Sequence, residues 1–301
     1  MKKKLKIILA TDYSEAVMNA ERYAIQFAEK TDSFLTIIHV YDIPFNFPAA
    51  HSEYAKATEE LRLHELQRLT QHCERLMDSM DIRLNEDNFE CVVLEGSVGK
   101  QIRKEAVLSH TDIIITGTHE ANGFQKLFLG SHTWDVIKKS EIPVLAIPND
   151  AIFSTLKNIV FATEYREGEI PGIHFLVELA KQFDAELTVL HITNYILSKE
   201  FEKTLFGKFR TEVQDKISYN KLNLCLVQYD DIVGGLSNYC ENSKTDWLVM
   251  SPSKPFFFEK IFTPKKSITK EMTFQTHIPL LAVPDFYIPE NVFSEQSTNS
   301  L

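Results

Sequence analysis

Long apolar runs are missing from this sequence. A helix that crosses a bilayer needs roughly 20 consecutive apolar residues, and no segment comes near that length. The opening MKKKLKIILATDYSE places lysines before an apolar run, as a secretory signal does, but the run from Ile7 ends at Ala10 and polar Thr11 follows. A signal needs roughly 7–15 apolar residues. We therefore expect neither a signal peptide nor a membrane span.

An excess of basic charge is also missing, and so is any paired cysteine motif. The formal net charge is −10 at pH 7, whereas broad nucleic-acid binding needs a basic surface, so nucleic acid is not an expected partner. The four cysteines show no CxxC spacing. In a chain without an export signal they are expected to be reduced thiols, which predicts a cytoplasmic protein.

The motifs of common enzyme and metal sites are absent as well. The sequence contains no GxSxG elbow, no GxxxxGK[ST] loop and no HExxH, and its carboxylates show no interpretable paired spacing. His119 and His132 lie within and directly after the stretch 117–131 and are expected to be loop residues, because they form no recognised spacing of Cys or carboxylate metal ligands. We therefore predict that the protein is not an enzyme and that it requires no metal.

What the sequence does contain is a repeat of itself. Residues 6–42, KIILATDYSEAVMNAERYAIQFAEKTDSFLTIIHVYD, align without a gap to residues 158–194, NIVFATEYREGEIPGIHFLVELAKQFDAELTVLHITN. Later, IPVLAIPND at 142–150 matches IPLLAVPDF at 278–286. Two copies in the same order predict two domains of one fold. The predicted division is a first domain at 1–150, a second at 151–289 and a flexible tail at 290–301.

Each copy alternates short apolar runs with helical patterns. In the first copy the runs LKIILA, FLTIIHV, FECVVL, DIIIT and PVLAI suit strands that are buried on both faces. Helical spacing of apolar residues lies between them, at 15–30, 53–80, 98–109 and 131–140. The second copy predicts strands near 157–162, 186–192, 223–228, 246–250 and 279–283. This alternation predicts an α/β fold with two tandem, doubly wound, parallel five-stranded sheets.

Ligands of such sheets bind beyond the carboxyl ends of the strands, where the strand order reverses. This rule selects Asp12, directly after the first strand, and the stretch GTHEANGFQKLFLGS at 117–131, directly after the fourth. Gly130 and Ser131 open a helix there. Backbone N–H groups at such a start point toward an anion, aided by the positive end of the helix dipole.

At these residues the chain resembles the universal stress protein family in its tandem two-domain form. The family signature is G-x-x-G-x9-G-[S/T] after the fourth strand, with an aspartate after the first. Gly117, Gly130 and Ser131 occupy signature positions at the right spacing, and Asp12 supplies the aspartate. The resemblance implies strand order 3-2-1-4-5, ATP binding in some members, and dimers that pair through the last strand. The two tandem halves could form that last pairing with each other, within one chain.

Carried over to matching positions, the resemblance implies an adenine-nucleotide site. Asp12 and Val40 would contact the adenosine end, and Gly117, Gly130 and Ser131 would surround the ribose and phosphates. The nucleotide (ATP, ADP or AMP) would act as a regulatory ligand of a stress-response protein.

The sequence departs from the signature in both halves. Glu120 replaces the second glycine of the first copy, where a carboxylate would crowd and repel polyphosphate. In the second copy Ser251 replaces the first glycine, Pro264 stands in the final Gly-Ser pair, and Glu164 stands at the position of Asp12. Proline removes an N–H donor, so we predict that the second site is lost.

Structural interpretations stay open beside these functional ones. Asp12 and Ser131 are each suited to cap a helix. His39 and His191 recur at matching strand ends and are expected to be buried, hydrogen-bonded imidazoles rather than metal ligands. The alternative to a nucleotide-binding protein is a nucleotide-free scaffold that contacts partners through the Phe-rich loop at 256–262 and its long helices. A third alternative is slow ATP hydrolysis in the first domain, for which the sequence shows no evident general base.

Overall fold

The computed structural model describes residues 4–43, 51–118, 131–194, 199–252 and 277–287. Several positions singled out in the sequence lie outside these ranges, so their predicted roles stay predictions. They are Glu120, Gly130, Pro264, the Phe-rich loop at 256–262 and the tail at 290–301.

Strands and helices alternate along both halves of the chain, as the apolar pattern predicts. The strands are β1 (Lys6–Thr11), β2 (Phe34–Tyr41), β3 (Phe89–Glu95), β4 (Ile113–Gly117), β5 (Val144–Ile147), β6 (Asn158–Ala162), β7 (Glu186–Thr193), β8 (Leu222–Gln228), β9 (Trp247–Met250) and β10 (Leu280–Ala282). The helices are α1 (Glu15–Thr31), α2 (His51–Ser79), α3 (Val98–Leu108), α4 (Ser131–Lys139), α5 (Ile170–Phe183), α6 (Lys199–Lys216) and α7 (Ile232–Asn242). The predicted bounds agree with these to within about two residues, because turn residues bound each apolar run.

The strands of the described ranges belong to one ten-stranded sheet, with the order β3-β2-β1-β4-β5-β10-β9-β6-β7-β8. The first half therefore has the expected order 3-2-1-4-5. The second half repeats it when read from the opposite edge. The two tandem five-stranded sheets of the prediction are both present, and they continue into each other as one sheet.

The join is made by the last strand of each half. β5 and β10 run antiparallel, with Leu281 opposite Leu145, while every other strand pair is parallel. Each of these two strands already has a neighbour on both sides within the chain. The last strands of the two halves therefore pair with each other within this chain. Both edges of β5 and of β10 are paired in this way, so neither strand offers a free edge to a second copy.

Both faces of the sheet are buried, because alternate residues of each strand point to opposite sides. Ile7 and Leu9 of β1 join the core on the side of α1, α2, α5 and α6, while Ile8 joins the core on the side of α3, α4 and α7. This explains why the strands are continuous apolar runs rather than alternating ones.

Five aromatic residues connect the halves on the first of these faces: Tyr23, Phe27, Phe153, Phe183 and Trp247. The Trp247 ring centroid lies 5.4 Å from that of Phe27. Its indole Nε1 donates a buried hydrogen bond of 2.6 Å to the Tyr23 hydroxyl. We call this group the aromatic cluster.

Candidate functional site

A cavity of about 230 Å³ lies at the carboxyl ends of β1, β2 and β4. Three of the residues predicted to bind a ligand line it: Asp12 after β1, Val40 near the end of β2 and Gly117 at the end of β4. Residues from segments far apart in sequence meet here because β4 lies beside β1, on the side opposite β2, so the strand order reverses at this point.

The walls of this cavity are mainly apolar, with a few polar groups. The apolar side chains come from β1, β2 and β4 and from α1, α3 and α4, and they are Ala10, Val17, Ile38, Val40, Val98, Ile102, Ile114 and Val136. Thr11, Asp12, Thr116 and Thr133 supply oxygen atoms. Apolar walls with a few converging polar groups are the usual composition of a small-molecule site.

Gly117 is required by the close approach of α1. A Cβ atom at this position would lie 3.0 Å from the Ala16 carbonyl oxygen and 3.2 Å from the Val17 Cα. Backbone atoms cannot move aside as a flexible side chain can. The glycine therefore lets the start of α1 lie directly against the end of β4, which forms one corner of the cavity.

The start of α4 is tied to the same corner. The Thr133 hydroxyl donates to the Gly117 carbonyl oxygen at 3.1 Å and lies 3.2 Å from the Thr116 hydroxyl. α4 begins at Ser131, which directs its amino-terminal end to this side of the sheet. Sequence reasoning did not select Thr133, although it lies two positions after Ser131 and its hydroxyl can accept or donate.

Asp12 stabilises the turn that connects β1 to α1. Its Oδ1 accepts a hydrogen bond of 2.9 Å from the Ser14 backbone N–H, and the side chain is exposed. The N-cap position of α1 is Ser14, whose side chain makes no capping hydrogen bond, so Asp12 holds the turn before the helix rather than capping the helix itself. A carboxylate on an exposed turn beside the cavity can also accept from a ligand, so the two roles are compatible.

Tyr13, the next residue, has a left-handed backbone with φ of 62°. Such a conformation is uncommon for a non-glycine residue and costs about 1–3 kcal/mol, so surrounding contacts must hold it. The Tyr13 N–H donates to the Thr11 hydroxyl at 3.0 Å. Thr11 in turn donates to Glu21 at 2.5 Å, and Glu21 is almost fully buried in α1.

His72 of α2 completes this group from the other side. Its Nε2 lies 3.0 and 2.9 Å from the two Glu21 carboxylate oxygens. Because an ionised carboxylate only accepts, Nε2 is the donor. We call Thr11, Glu21 and His72 the relay. Sequence reasoning missed it, since a glutamate within an amphipathic helix is more often solvated.

The two recurring histidines are partly buried and hydrogen-bonded, as predicted. His39 Nδ1 donates to the Thr11 carbonyl oxygen at 2.9 Å, and His191 Nδ1 donates to the Thr163 carbonyl oxygen at 2.7 Å. The ring centroids of His39 and Tyr13 are 4.5 Å apart. In both copies the same carbonyl after the first strand is therefore anchored by a histidine of the second strand.

In the second half, the matching strand ends are occupied by ion pairs. Arg166 contacts Asp285 at 2.5 Å and Glu169 at 3.3 Å, and its distance to Glu164 is 3.7 Å. Ser251, at the position of Gly117, donates to Asp285 at 2.6 Å. Burial raises the pKa of Glu169, although hydrogen bonds from Thr163 and from backbone N–H groups act in the opposite direction. These contacts use the side chains at the second set of strand ends for internal bonding, and the predicted loss of the second site stays a prediction.

The described ranges contain neither a membrane helix nor a metal-binding group. They contain no helix that is both long enough and apolar enough to cross a membrane. Within them no three His, Cys, Asp or Glu side chains are grouped so that they could bind a metal ion. The four cysteines, all of which are described, are free thiols.

Comparison with known proteins finds similarity to one protein family in the first half. The model of the universal stress protein family matches residues 5–148. A universal stress protein of Methanocaldococcus jannaschii is 27% identical over 143 residues, covering 47% of this chain and 81% of that protein. The stress response protein NhaX of Bacillus subtilis is 27% identical over 160 residues, covering 47% of this chain and 96% of the relative.

Solved structures extend the similarity of fold to both halves. A universal stress protein from Archaeoglobus fulgidus has a TM-score of 0.63 at 14% identity, covering 92% of this chain and 98% of the other. A protein of unknown function from Pseudomonas aeruginosa has a TM-score of 0.56 at 15% identity, covering 94% of this chain and 93% of the other. At this level of identity the likeness concerns the fold alone.

Proposed function

We propose that this chain, whose residues 5–148 match the model of the universal stress protein family, is a stress-response protein that binds an adenine nucleotide, such as ATP, ADP or AMP, in its amino-terminal half. The nucleotide acts as a regulatory ligand that stabilises one conformation, and the carboxy-terminal half has a structural role. The division at residue 150, the cytoplasmic location and the absence of enzymatic activity belong to the same proposal.

The observation that carries the proposal is the cavity in which Asp12, Val40 and Gly117 meet. A complete small-molecule site has a volume of roughly 300–1,000 Å³. The cavity, at about 230 Å³, is smaller and mostly apolar, so it suits the base and sugar of a nucleotide rather than the whole molecule.

The polar parts of the proposed ligand have matching groups at the rim. Asp12 accepts hydrogen bonds and suits the ribose hydroxyls or the adenine amine. The proposal assigns the phosphates to Gly130 and Ser131, where N–H groups and the dipole of α4 favour negative charge. Thr133 and Gly117 support this arrangement, because their hydrogen bond fixes the first turn of α4 at the end of β4.

Replacing Asp12 by alanine is expected to weaken ATP binding about tenfold, because a hydrogen bond to a charged group contributes roughly that factor. The measurement is isothermal titration of the purified protein with ATP, preceded by analysis of nucleotide released on denaturation. The matched control is Glu164→Ala, which makes a similar change at the equivalent position of the second half and should leave the affinity unchanged.

Two results would contradict the proposal. Absence of ATP, ADP and AMP binding at millimolar concentration would favour the nucleotide-free scaffold. Equal losses in the Asp12 and Glu164 variants would remove the assignment to the first half. Phosphate release that depends on Asp12 would instead support the ATPase reading.

A further inference from the structure

We propose that His72 and Glu21 are positioning residues for the nucleotide site, and that α2 holds the Asp12 turn in its ligand-facing geometry through the relay. This inference rests on the proposed function. Thr11 of the relay lines the cavity, whereas Glu21 and His72 do not, and none of the three belongs to the signature that the sequence carries.

The first step of the argument is the continuity of the hydrogen bonds. His72 donates to Glu21, the Thr11 hydroxyl donates to Glu21, and the Tyr13 N–H donates to that hydroxyl. Tyr13 directly follows Asp12 and has the left-handed backbone on which the direction of the turn depends. A side chain of α2 thus fixes the backbone beside the ligand-facing carboxylate.

Two other side chains of α2 contact either the turn or the histidine of β2 that anchors the end of β1. The Arg68 guanidinium lies over the Tyr13 ring, 4.4 Å from its centroid, and Glu65 lies 3.9 Å from His39 Nε2. Glu65, Arg68 and His72 are spaced at three and four positions, so they share one face of the helix. Burial raises the pKa of Tyr13, which keeps its ring neutral beneath Arg68.

The second half, where we predict that the ligand site is lost, has a different side chain at the position equivalent to His72. Glu202 of α6 lies 3.9 Å from His191, as Glu65 does from His39. Seven positions after that glutamate, the first half has His72 and the second half has Phe209. The Phe209 ring packs against Tyr165 with centroids 5.4 Å apart.

The carboxylate partner also differs between the halves. Thr163 donates to Glu169, which lies in the turn just before α5 and accepts from the Glu164 and Arg166 N–H groups. The second turn is therefore held by its own segment, with an apolar contact to α6. Among the described residues, a buried carboxylate links the turn to the second helix in the first half alone. This is also the half that has the cavity, Gly117 and Asp12.

The test compares His72→Phe, which copies the second half, with His72→Gln, whose amide can still donate to Glu21. We expect His72→Phe to weaken ATP binding about tenfold or more, the factor for a hydrogen bond to a charged group, and His72→Gln to restore most of the affinity. The matched control is His64→Phe, the same change on α2 at a side chain that is 69% exposed. It should bind ATP like the unmodified protein.

A second measurement makes the inference independent of the ligand. Without ATP, hydrogen exchange at the Tyr13 and Ser14 amides should be faster in His72→Phe than in His72→Gln, while the midpoint of thermal unfolding stays similar. If His72→Phe proves unstable, Thr11→Val removes the Thr11 hydroxyl at nearly constant shape. This variant should also bind ATP more weakly and exchange its Tyr13 and Ser14 amides faster.

The outcomes separate the two proposals. Unchanged ATP affinity in His72→Phe, with binding by the unmodified protein, overturns the relay and leaves the nucleotide site in place. Absence of ATP binding by the unmodified protein overturns the nucleotide site, and the exchange rates then decide the relay alone. Unchanged exchange in both His72→Phe and Thr11→Val overturns it.

Discussion

Replacing Trp247 by alanine is expected to lower the free energy of unfolding by about 3–5 kcal/mol, the range for truncating a large buried aromatic side chain. Trp247 is fully buried in β9. Its ring packs against Phe27 of α1, so the cavity would open between the two halves rather than inside one of them.

A milder variant separates packing from hydrogen bonding. Trp247→Phe keeps most of the apolar contact but removes the donor to the Tyr23 hydroxyl, which is 4% exposed. The lost hydrogen bond should cost about 1–3 kcal/mol. Burial raises the pKa of Tyr23, so its hydroxyl stays protonated.

Chemical unfolding followed by circular dichroism measures both effects. Leu63→Ala is the control, because this side chain of α2 is 51% exposed and its truncation should change stability by only about 0.5 kcal/mol. If Trp247→Ala cost no more than the control, the aromatic cluster would not hold the halves together. Two separated transitions in Trp247→Ala would show that the halves unfold independently once this contact is removed.

Replacing Gly117 by valine is expected to abolish measurable ATP binding, a loss of at least about 100-fold. The Cβ would meet the Ala16 carbonyl and the Val17 Cα, so the start of α1 would have to move away from β4. This movement displaces the Asp12 turn and places additional methyl groups at the wall of the cavity. Overpacking should also lower stability by about 1–3 kcal/mol.

Titration calorimetry and thermal unfolding, run on the same samples, distinguish lost binding from lost folding. Gly117→Ala should give an intermediate affinity, since it introduces the Cβ without branches. Ser251→Val makes a similar change in the second half and breaks the bond to Asp285, so it should reduce stability and leave ATP affinity unchanged. Full ATP affinity in a folded Gly117→Val protein would refute the assigned site.

The locations of the strands and helices follow from local patterns. Apolar runs such as KIILAT and FLTIIHVY form β1 and β2, and the helical spacing after them forms α1 and α2. The repeat between 6–42 and 158–194 also predicted that both halves have the same strand order. These features could be predicted because each depends on residues close together in the sequence.

The ligand-facing side of the candidate site was predictable for a related reason. Asp12, Val40 and Gly117 lie at strand ends, and parallel strands of a doubly wound sheet bring such ends to one edge. Strand order therefore sufficed to place them around one cavity, without knowledge of any side-chain contact. Gly130 and Glu120 lie outside the described residues, and their roles stay predictions.

The sequence by itself determined the repeated α/β fold and the edge of the sheet where a ligand is expected. Tertiary structure alone decided that Trp247 bonds Tyr23 across 224 positions, and that His72 and Thr11 both bond Glu21. Periodicity reports which face of an element is apolar, but it does not report which distant partner that face meets. A buried glutamate and a solvated one look alike in a helix until the neighbouring helix supplies its donor.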